Sequence, residues 1–302
     1  MNGRNKKLSN WSAGGLGNRI LGLISAYHFA RETNAKLFVE WCSLDTGCMT
    51  PWEELFSVRN DNIEFSNWLG NVNDFCSQRD EHIWIVHSVT HFKNKNQKKV
   101  YYHRNRMTPS QIIKVVEENA DHRRVYYQED GISPSVTLDS IISFFECVYF
   151  KNSIVKYVDE FCLTKNLRFD NTVGLHLRMT DFNKTPNFQH IDEKIRKIIN
   201  SGRKIFVCSD DKFAEDRILK MFGEENIVVN KKSSYVKKYD THQKWIGTAG
   251  QFPSSQYNVL RDTDSVIEAA QDCLILSRLN LNIFSSGSSF FKVAQILAKA
   301  NN

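Results

Sequence analysis

The second half of the sequence alternates short apolar runs with stretches of helical spacing, and this rhythm constrains the fold more than any other feature. The apolar runs predict strands at 173–177, 204–208 and 227–229. The stretches between them predict helices at 192–200 and 211–222. Strands that are joined by helices in this way form parallel sheets with right-handed crossovers. The sequence therefore predicts an α/β fold.

The first of these strands ends abruptly in polar and charged residues. Arg178, Thr180 and Asp181 follow the apolar run, and ligands of open α/β sheets bind outside the carboxyl ends of the strands. A guanidinium presents a fixed fork of donors, which suits a phosphate or a diphosphate. Asp181 could orient that fork or accept a proton. A plain Arg–Asp ion pair that ends a strand is an equally compatible interpretation.

A glycine-rich segment near the N-terminus precedes a predicted helix over 20–31 and a predicted strand over 36–41. Its sequence is Gly14-Gly15-Leu16-Gly17-Asn18-Arg19. Turn, helix and strand in this order form half of a Rossmann-like unit, and the N-terminus of the helix would attract an anion. The glycines do not match the dinucleotide fingerprint, so NAD is not predicted. A tight turn that packs against a neighbouring helix is the alternative.

The C-terminal part contains a second candidate phosphate cradle. The serine- and glycine-rich turn 285–289 precedes the last predicted helix, over 290–300, so Ser288 and Ser289 would stand at a helix N-terminus. Ordinary N-capping by serine is the alternative. A predicted helix over 264–279 and a strand over 282–284 lead into this turn. The long polar stretch 231–259, which precedes that helix, is typical of a functional flap or of a disordered segment.

The middle of the chain is less regular. Its patterns predict a short helix at 50–56, a strand at 83–89, a helix at 110–119, an edge strand at 123–127 and an apolar core segment at 138–150. A helix over 155–163 and a polar linker over 164–171 follow.

Four segments, taken together, resemble the fucosyltransferase superfamily. His176-Leu177-Arg178-Met179-Thr180-Asp181 resembles the His-x-Arg-Arg-Thr-Asp segment of the α-1,6-fucosyltransferases and their nodulation-fucosyltransferase relatives. The N-terminal glycine-rich turn is similar to that of the α-1,2- and protein O-fucosyltransferases. Cys208-Ser209-Asp210-Asp211 is similar to a strand-end Ser/Thr-Asp-Asp, and the residues from Asp272 to Ala294 resemble the last donor-binding block. The segments occur in the family's order.

The resemblance implies a GT-B glycosyltransferase, with two Rossmann-like domains facing a central cleft. Residues 1–167 would form the acceptor-side domain and residues 168–302 the nucleotide-sugar domain. It implies that Arg178 holds the diphosphate, that His176 and Asp272 contact the base, and that Ser288 and Ser289 contact phosphate. Asp210 and Asp211 would line the cleft or support its loop. The glycine-rich turn is expected to contribute further donor contacts through Gly14, Gly15, Gly17, Asn18 and Arg19.

The implied reaction is an inverting, metal-independent transfer of fucose from GDP-fucose to a glycan hydroxyl. No Asp-x-Asp stands near a candidate metal site, and adjacent Asp210 and Asp211 would point to opposite faces of a strand, so we expect neither a metal nor another cofactor. The chain departs from the family in two places: Met179 replaces its second arginine, and Pro186 replaces the glutamate of the α-1,6 enzymes. Asp181 is the remaining candidate for the base.

The composition of the chain limits which binding partners and which cellular location we expect. The chain has 302 residues and a formal net charge of +6, which an anionic nucleotide sugar is enough to explain without nucleic acid. The second expected partner is a glycan acceptor. Golgi members of the resembled family carry a membrane anchor, but no apolar run here approaches about 18 residues, so we expect no membrane span. Seven irregularly spaced cysteines favour a cytoplasmic location. Cys42 and Cys48 could pair if oxidised.

Three other functions are compatible with the sequence. The same fold could use another nucleotide sugar, such as a UDP- or GDP-linked xylose or rhamnose. The departures at Met179 and Pro186 also fit a protein that binds a nucleotide or a glycan without catalysis. A nucleic-acid binder could use the basic run 93–106, although such a run is usually a solvated face.

Overall fold

The computed structural model describes residues 6–12, 14–43, 47–69, 83–86, 100–103, 107–119, 125–128, 131–179, 188–238, 259–281 and 288–300. The described residues divide into two compact units after Tyr149. The division falls before helix α4 (Asn152–Thr164), which packs against α7 (Thr263–Ser277) of the second unit. The boundary predicted from the sequence, between residues 167 and 168, follows that helix.

The first unit contains a parallel sheet of six strands. Along the chain its described elements are β1 (Lys7–Ser12), α1 (Leu16–Glu32), β2 (Lys36–Cys42), a 3-10 turn (Trp52–Glu54), β3 (Phe56–Val58), β4 (Ile63–Trp68), β5 (Ile83–Val86), β6 (Val100–His103), α2 (Pro109–Asn119), β7 (Val125–Gln128), α3 (Leu138–Cys147) and β8 (Val148–Phe150). The strand order is β4-β2-β1-β7-β5-β6, and β3 pairs with β8 in a separate ladder.

Helix α1 forms the centre of the first unit. Its residues from Ile20 to Ala30 are all buried, and it contacts β1, β2, β7, α2 and α3. The ring of Phe29 lies 5.3 Å from that of Tyr127 on β7. Because β1 lies between β2 and β7, the turn that joins β1 to α1 stands where the strand order of the sheet reverses.

The second unit contains a parallel sheet of four strands. Its described elements are α4, β9 (Thr172–Leu177), α5 (Phe188–Asn200), β10 (Lys204–Ser209), α6 (Lys212–Phe222), β11 (Ile227–Val229), β12 (Lys237–Lys238), β13 (Val259–Leu260), α7, β14 (Asn280–Leu281) and α8 (Ser289–Ala300). The order is β11-β10-β9-β14. Gly223 ends α6 with a φ of 81°, which favours glycine.

Helices cover both faces of the second sheet. Alternate residues Val173, Leu175 and Leu177 of β9 pack with apolar residues of α5 and α6. On the opposite face, the ring of Phe206 meets that of Phe161 on α4 at 6.2 Å. A strand with helices on both faces must be apolar throughout, which explains the continuous apolar runs in the sequence. The predicted α/β architecture is present in both units.

Several of the predicted elements need correction. The strand predicted at 123–127 is not at an edge, because β7 pairs with both β1 and β5. Strand β1 was not predicted at all. The strand predicted at 282–284 lies outside the described residues, and the pairing with β9 is made by Asn280 and Leu281. The ends of the long polar stretch meet in the antiparallel pair β12–β13. Its middle, 239–258, lies outside the described residues.

Two further expectations concern the whole chain. None of the helices that the structure describes combines the length and the apolar character that crossing a membrane requires. Cys42 and Cys48 are both buried and both present as free thiols.

Candidate functional site

The second sheet has one position where the strand order reverses. The chain runs from β9 outward through β10 to β11 and then returns to place β14 on the other side of β9. In sheets of this kind a ligand binds at such a switch point, outside the carboxyl ends of the strands. Arg178 and Met179 follow β9 there, and Ser288 precedes α8 after β14. The topology therefore brings the two predicted donor-binding stretches to the same end of the sheet.

Asp210 joins the ends of two neighbouring strands. Its Oδ1 accepts a hydrogen bond of 2.7 Å from the backbone N–H of Met179, which comes directly after Arg178. The next residue, Asp211, is the N-cap of α6, and its Oδ1 accepts from the N–H of Ala214 at 3.2 Å. Asp210 thus fixes the backbone beside Arg178, whereas Asp211 caps a helix. Arg178 itself is half-buried.

His176 links β9 to the start of α8. The side chain is buried, and its ring stacks on Phe290 with the ring centroids 5.0 Å apart. Ser288, also buried, accepts at Oγ from the N–H of Phe291 at 3.4 Å, a distance at the long end of the hydrogen-bond range. Ser289 is the first residue of α8 and is half-buried. These contacts place the base-contact candidate and the phosphate-contact candidates next to one another.

Asp272 is buried and bound on both of its oxygens. The side chain is 1% exposed. Its Oδ1 accepts from Asn230 Nδ2 at 3.0 Å, and its Oδ2 lies 3.0 Å from the ammonium of Lys232. Burial raises the pKa of this carboxyl, and Lys232 and Asn230 oppose the rise. The predicted contact of Asp272 with the base remains a prediction, and in this conformation the carboxylate is occupied by protein partners.

Glu215 and Lys232 complete a buried ion cluster that the sequence analysis did not identify. The Lys232 ammonium lies between Asp272 and Glu215, and Glu215 also accepts from the N–H of Ser209 at 2.7 Å and from the hydroxyl of Tyr235 at 2.6 Å. Burial alone would lower the pKa of Lys232, but the two carboxylates raise it above its usual range. Burial raises the pKa of Glu215, against the effect of Lys232.

A signal for this cluster was present in the sequence. Lys231 and Lys232 follow the strand 227–229 after a single asparagine, just as Arg178 follows its own strand. Charged residues at successive strand ends of a parallel sheet lie along the same edge. Both lysines were instead assigned to the long polar stretch 231–259, so the pattern was not recognised.

The glycine-rich turn of the first unit has a different construction. Gly14 has a φ of 86°, a conformation that other residues rarely adopt. Arg19, which is 1% exposed, donates from Nε to the carbonyl of Gly14 at 2.7 Å and from a terminal nitrogen to the carbonyl of Cys42 at 2.9 Å. Its guanidinium also lies 4.6 Å above the ring of Trp41.

Arg19 therefore fastens the turn to the end of β2 from inside the unit. Gly15, Gly17 and Asn18 lie in the same turn and first helical residues, with Gly15 and Asn18 half-buried. A contact of these residues with the donor stays a prediction.

The candidate base and the residue that replaces the family's glutamate both lie outside the described residues. Asp181 and Pro186 belong to the stretch 180–187, which is outside the described residues. Among the residues that the structure does describe, no group of three or more His, Cys, Asp or Glu side chains is placed to hold a metal ion.

The comparisons with known proteins found matches among solved structures. No protein-family model matches the chain, and no curated protein matches its sequence. A crystal structure of POFUT1 in complex with GDP-fucose is 11% identical, has a TM-score of 0.57, and is matched over 97% of this chain and 94% of its own. The NodZ α-1,6-fucosyltransferase soaked with GDP-fucose has a TM-score of 0.51 at 11% identity, over 97% of this chain and 92% of its own.

A third comparison gives the same result. A crystal structure of POFUT1 without ligand is 12% identical, with a TM-score of 0.56, and covers 98% of this chain and 95% of its own. Sequence identity this low establishes the fold and nothing finer. The predicted resemblance is confirmed at that level: the chain has an α/β fold of the GT-B type, shared with fucosyltransferases across almost its whole length.

Proposed function

We propose that the chain is a glycosyltransferase that transfers fucose from GDP-fucose to a hydroxyl group of a glycan, with inversion and without a metal ion. The observation that carries the proposal is the fold shared with POFUT1 over 97% of the chain, in a crystal structure that contains GDP-fucose. The position of Arg178 at the switch point of the second sheet supports the same conclusion, because a diphosphate needs a cation there.

Arg178 has a defined chemical task in this reaction. As the bond between the anomeric carbon and the β-phosphate oxygen breaks, negative charge develops on the departing GDP. A guanidinium held at that position stabilises the charge, and it is most effective when its orientation is fixed beforehand. The hydrogen bond from Met179 to Asp210 fixes the backbone next to Arg178. The N-terminus of α8 offers main-chain N–H groups to the same phosphates.

A base completes the transfer. The acceptor hydroxyl attacks the anomeric carbon from the face opposite the leaving group, its proton passes to the base, and GDP leaves with the bonding electron pair. We assign the base to Asp181, two residues beyond Met179, since a carboxylate can accept this proton. We place the protein in the cytoplasm, as its cysteine content favours reduced thiols.

The test of this proposal is the rate of GDP release from GDP-fucose in the presence of a chelator. We expect turnover with the wild-type protein, and we expect Arg178→Ala to lower it by a factor on the order of 100 to 1,000. The matched control is Arg203→Ala, because Arg203 precedes β10 at the amino end of the sheet and donates to Ser201. Full activity of Arg178→Ala would overturn the assignment.

A second candidate is a protein that binds a nucleotide without transferring a sugar. Two observations favour it: Met179 stands where the resembled family has a second arginine, and Asp272 is occupied by Lys232 and Asn230. Thermal-shift measurements with GDP, UDP, GDP-fucose and other nucleotide sugars distinguish the two, because a ligand that binds only the folded state raises the melting temperature. Stabilisation by GDP without turnover on any glycan acceptor would favour the second candidate.

A further inference from the structure

We propose that Glu215 and Lys232 are positioning residues for the donor site, because their buried ion pair fixes Arg178 and Asp272 at the same time. The inference rests on the proposed function, which assigns those two residues to the donor. Neither Glu215 nor Lys232 is part of the sequence resemblance, and their side chains are 2% and 6% exposed.

The path from the ion pair to Arg178 is a continuous series of short contacts. The ammonium of Lys232 is bound to Glu215 Oε1, and the same oxygen accepts from the N–H of Ser209 at 2.7 Å. Ser209 is the last residue of β10, and the next residue, Asp210, accepts from the N–H of Met179 at 2.7 Å. A movement of Glu215 therefore changes where β10 ends, and through Asp210 it changes the backbone beside Arg178.

The path to Asp272 is direct. The ammonium of Lys232 lies 3.0 Å from Asp272 Oδ2, while Asn230 Nδ2 donates to Oδ1 at 3.0 Å. Asn230 is itself oriented by the hydroxyl of Tyr157, which donates to its Oδ1 at 2.6 Å. Both oxygens of the Asp272 carboxylate are therefore bound, which restrains the rotation of the side chain. A carboxylate that is fixed in this way has a single orientation to offer a ligand.

The charges of the cluster make Lys232 indispensable to this arrangement. Two buried carboxyl groups share one ammonium, so the cluster has an excess of one negative charge when both are ionised. Main-chain and hydroxyl donors from Ser209 and Tyr235 compensate part of that charge at Glu215. Without the ammonium the two carboxylates would repel each other, and at least one would have to move or take up a proton.

The experiment measures hydrogen exchange at the Met179 amide and the dissociation constant of GDP. The variants are Glu215→Gln, Lys232→Met and the conservative Lys232→Arg. The matched control is Asp216→Asn, which makes the same type of change one residue further along α6, where the carboxylate is exposed and pairs with Lys212. Circular dichroism confirms that each variant is folded. Because exchange is measured without nucleotide, that result does not depend on the proposed function.

We expect Glu215→Gln to speed exchange at Met179 and to weaken GDP binding by roughly 2- to 30-fold, the range for residues that act on a site without touching its ligand. We expect a similar loss in Lys232→Met, partial recovery in Lys232→Arg, and wild-type values in Asp216→Asn. If Lys232→Met does not fold, Glu215→Gln and Lys232→Arg decide the question.

Folded Glu215→Gln with wild-type exchange at Met179 and wild-type GDP affinity would overturn the inference. A wild-type protein that does not bind GDP would contradict the proposed function alone, and exchange at Met179 would still decide whether the cluster fixes this strand end.

Discussion

Arg178 and Arg19, the arginines of the two predicted donor-contact segments, have different surroundings. In the second unit, Arg178 comes at the end of β9, and its neighbour Met179 is held by Asp210 from the adjacent strand. In the first unit, Arg19 is 1% exposed and donates to the main-chain carbonyls of Gly14 and Cys42. The backbone beside Arg178 is held by a side-chain carboxylate, whereas Arg19 itself contacts main-chain carbonyls and an aromatic ring.

This difference separates the two predicted anion sites. In the first unit the prediction came from a glycine-rich turn at a helix N-terminus, and in the second from an arginine that directly follows a strand. Arg19 satisfies main-chain carbonyls and so serves to hold the turn in shape. In the first unit a ligand would therefore contact the turn itself and not the buried guanidinium of Arg19. In the second unit the charged groups at the strand ends are arranged around one another by a buried ion cluster.

The largest expected effect on stability comes from Lys232. Replacement by methionine leaves Glu215 and Asp272 as buried charges without their common cation, and breaking a buried pair in this way costs about 3–5 kcal/mol. The free energy of unfolding, obtained from urea denaturation, measures the loss. Lys212→Met is the control, because the ion pair of Lys212 with Asp216 is exposed. A loss below about 1 kcal/mol, typical of surface pairs, would mean that the cluster is not essential to the second unit.

Arg19 should come next. Arg19→Met removes the donors to the Gly14 and Cys42 carbonyls, and buried acceptors left without partners cost roughly 1–3 kcal/mol. We expect a loss of about 2–3 kcal/mol in urea denaturation. Arg19→Lys, which keeps the charge but lacks the planar fork, should recover only part of it. If the urea concentration at the midpoint of unfolding is the same for Arg19→Met and for the wild type, the turn does not depend on the guanidinium.

The effect of Lys232→Met should also depend on pH. Burial raises the pKa values of Asp272 and Glu215 above their ordinary 3.8 and 4.5, so the folded state holds protons that the unfolded state releases. Stability from such groups is present at low pH and falls as pH rises. Because Lys232 opposes these shifts, its removal should extend the fall to higher pH, so the stability gap to wild type should widen as the pH rises above the ordinary pKa values of the two carboxyls. A constant gap would show that the ammonium does not act on the carboxylates.

The smallest effect is expected on the surface of the first unit. Arg31 pairs with Asp139 at 3.0 Å, but the two side chains are 40% and 76% exposed. Exposed pairs of this kind contribute about 0.2–1 kcal/mol and weaken in salt. Arg31→Ala should therefore lower the free energy of unfolding by less than about 1 kcal/mol, and less again in high salt. A loss as large as that of Arg19→Met would remove the distinction between buried and exposed arginines in this unit.

The periodic part of the fold was predictable from the sequence, and its exceptions have physical causes. Strands β9, β10 and β11 are largely buried and mainly apolar, so their runs were evident. Strand β1 is equally buried, but it contains Ser9, Asn10 and Ser12, and its pattern does not resemble a core strand. Asn10 is tolerated there because its amide donates to the carbonyl of Tyr127 at 3.1 Å.

The candidate site was predictable in part for a related reason. Arg178, His176 and Ser288 stood next to recognisable strand and helix ends, so their positions followed from the local pattern. The ion cluster did not follow from it, since Lys232 lies in a polar stretch and Glu215 in the first turn of an amphipathic helix. Their burial depends on the packing of α7 against the sheet, which is set by residues more than thirty positions away in the chain.

The central claim is that Arg178, at the carboxyl end of the second sheet, holds a nucleoside diphosphate. The most direct test is calorimetric titration of GDP into the wild-type protein and into Arg178→Ala, both in the presence of a chelator. We expect the wild type to bind GDP and the variant to bind it at least about tenfold more weakly, since a hydrogen bond to a charged group contributes about 1.5–3 kcal/mol. Equal affinities in two folded proteins would contradict the claim.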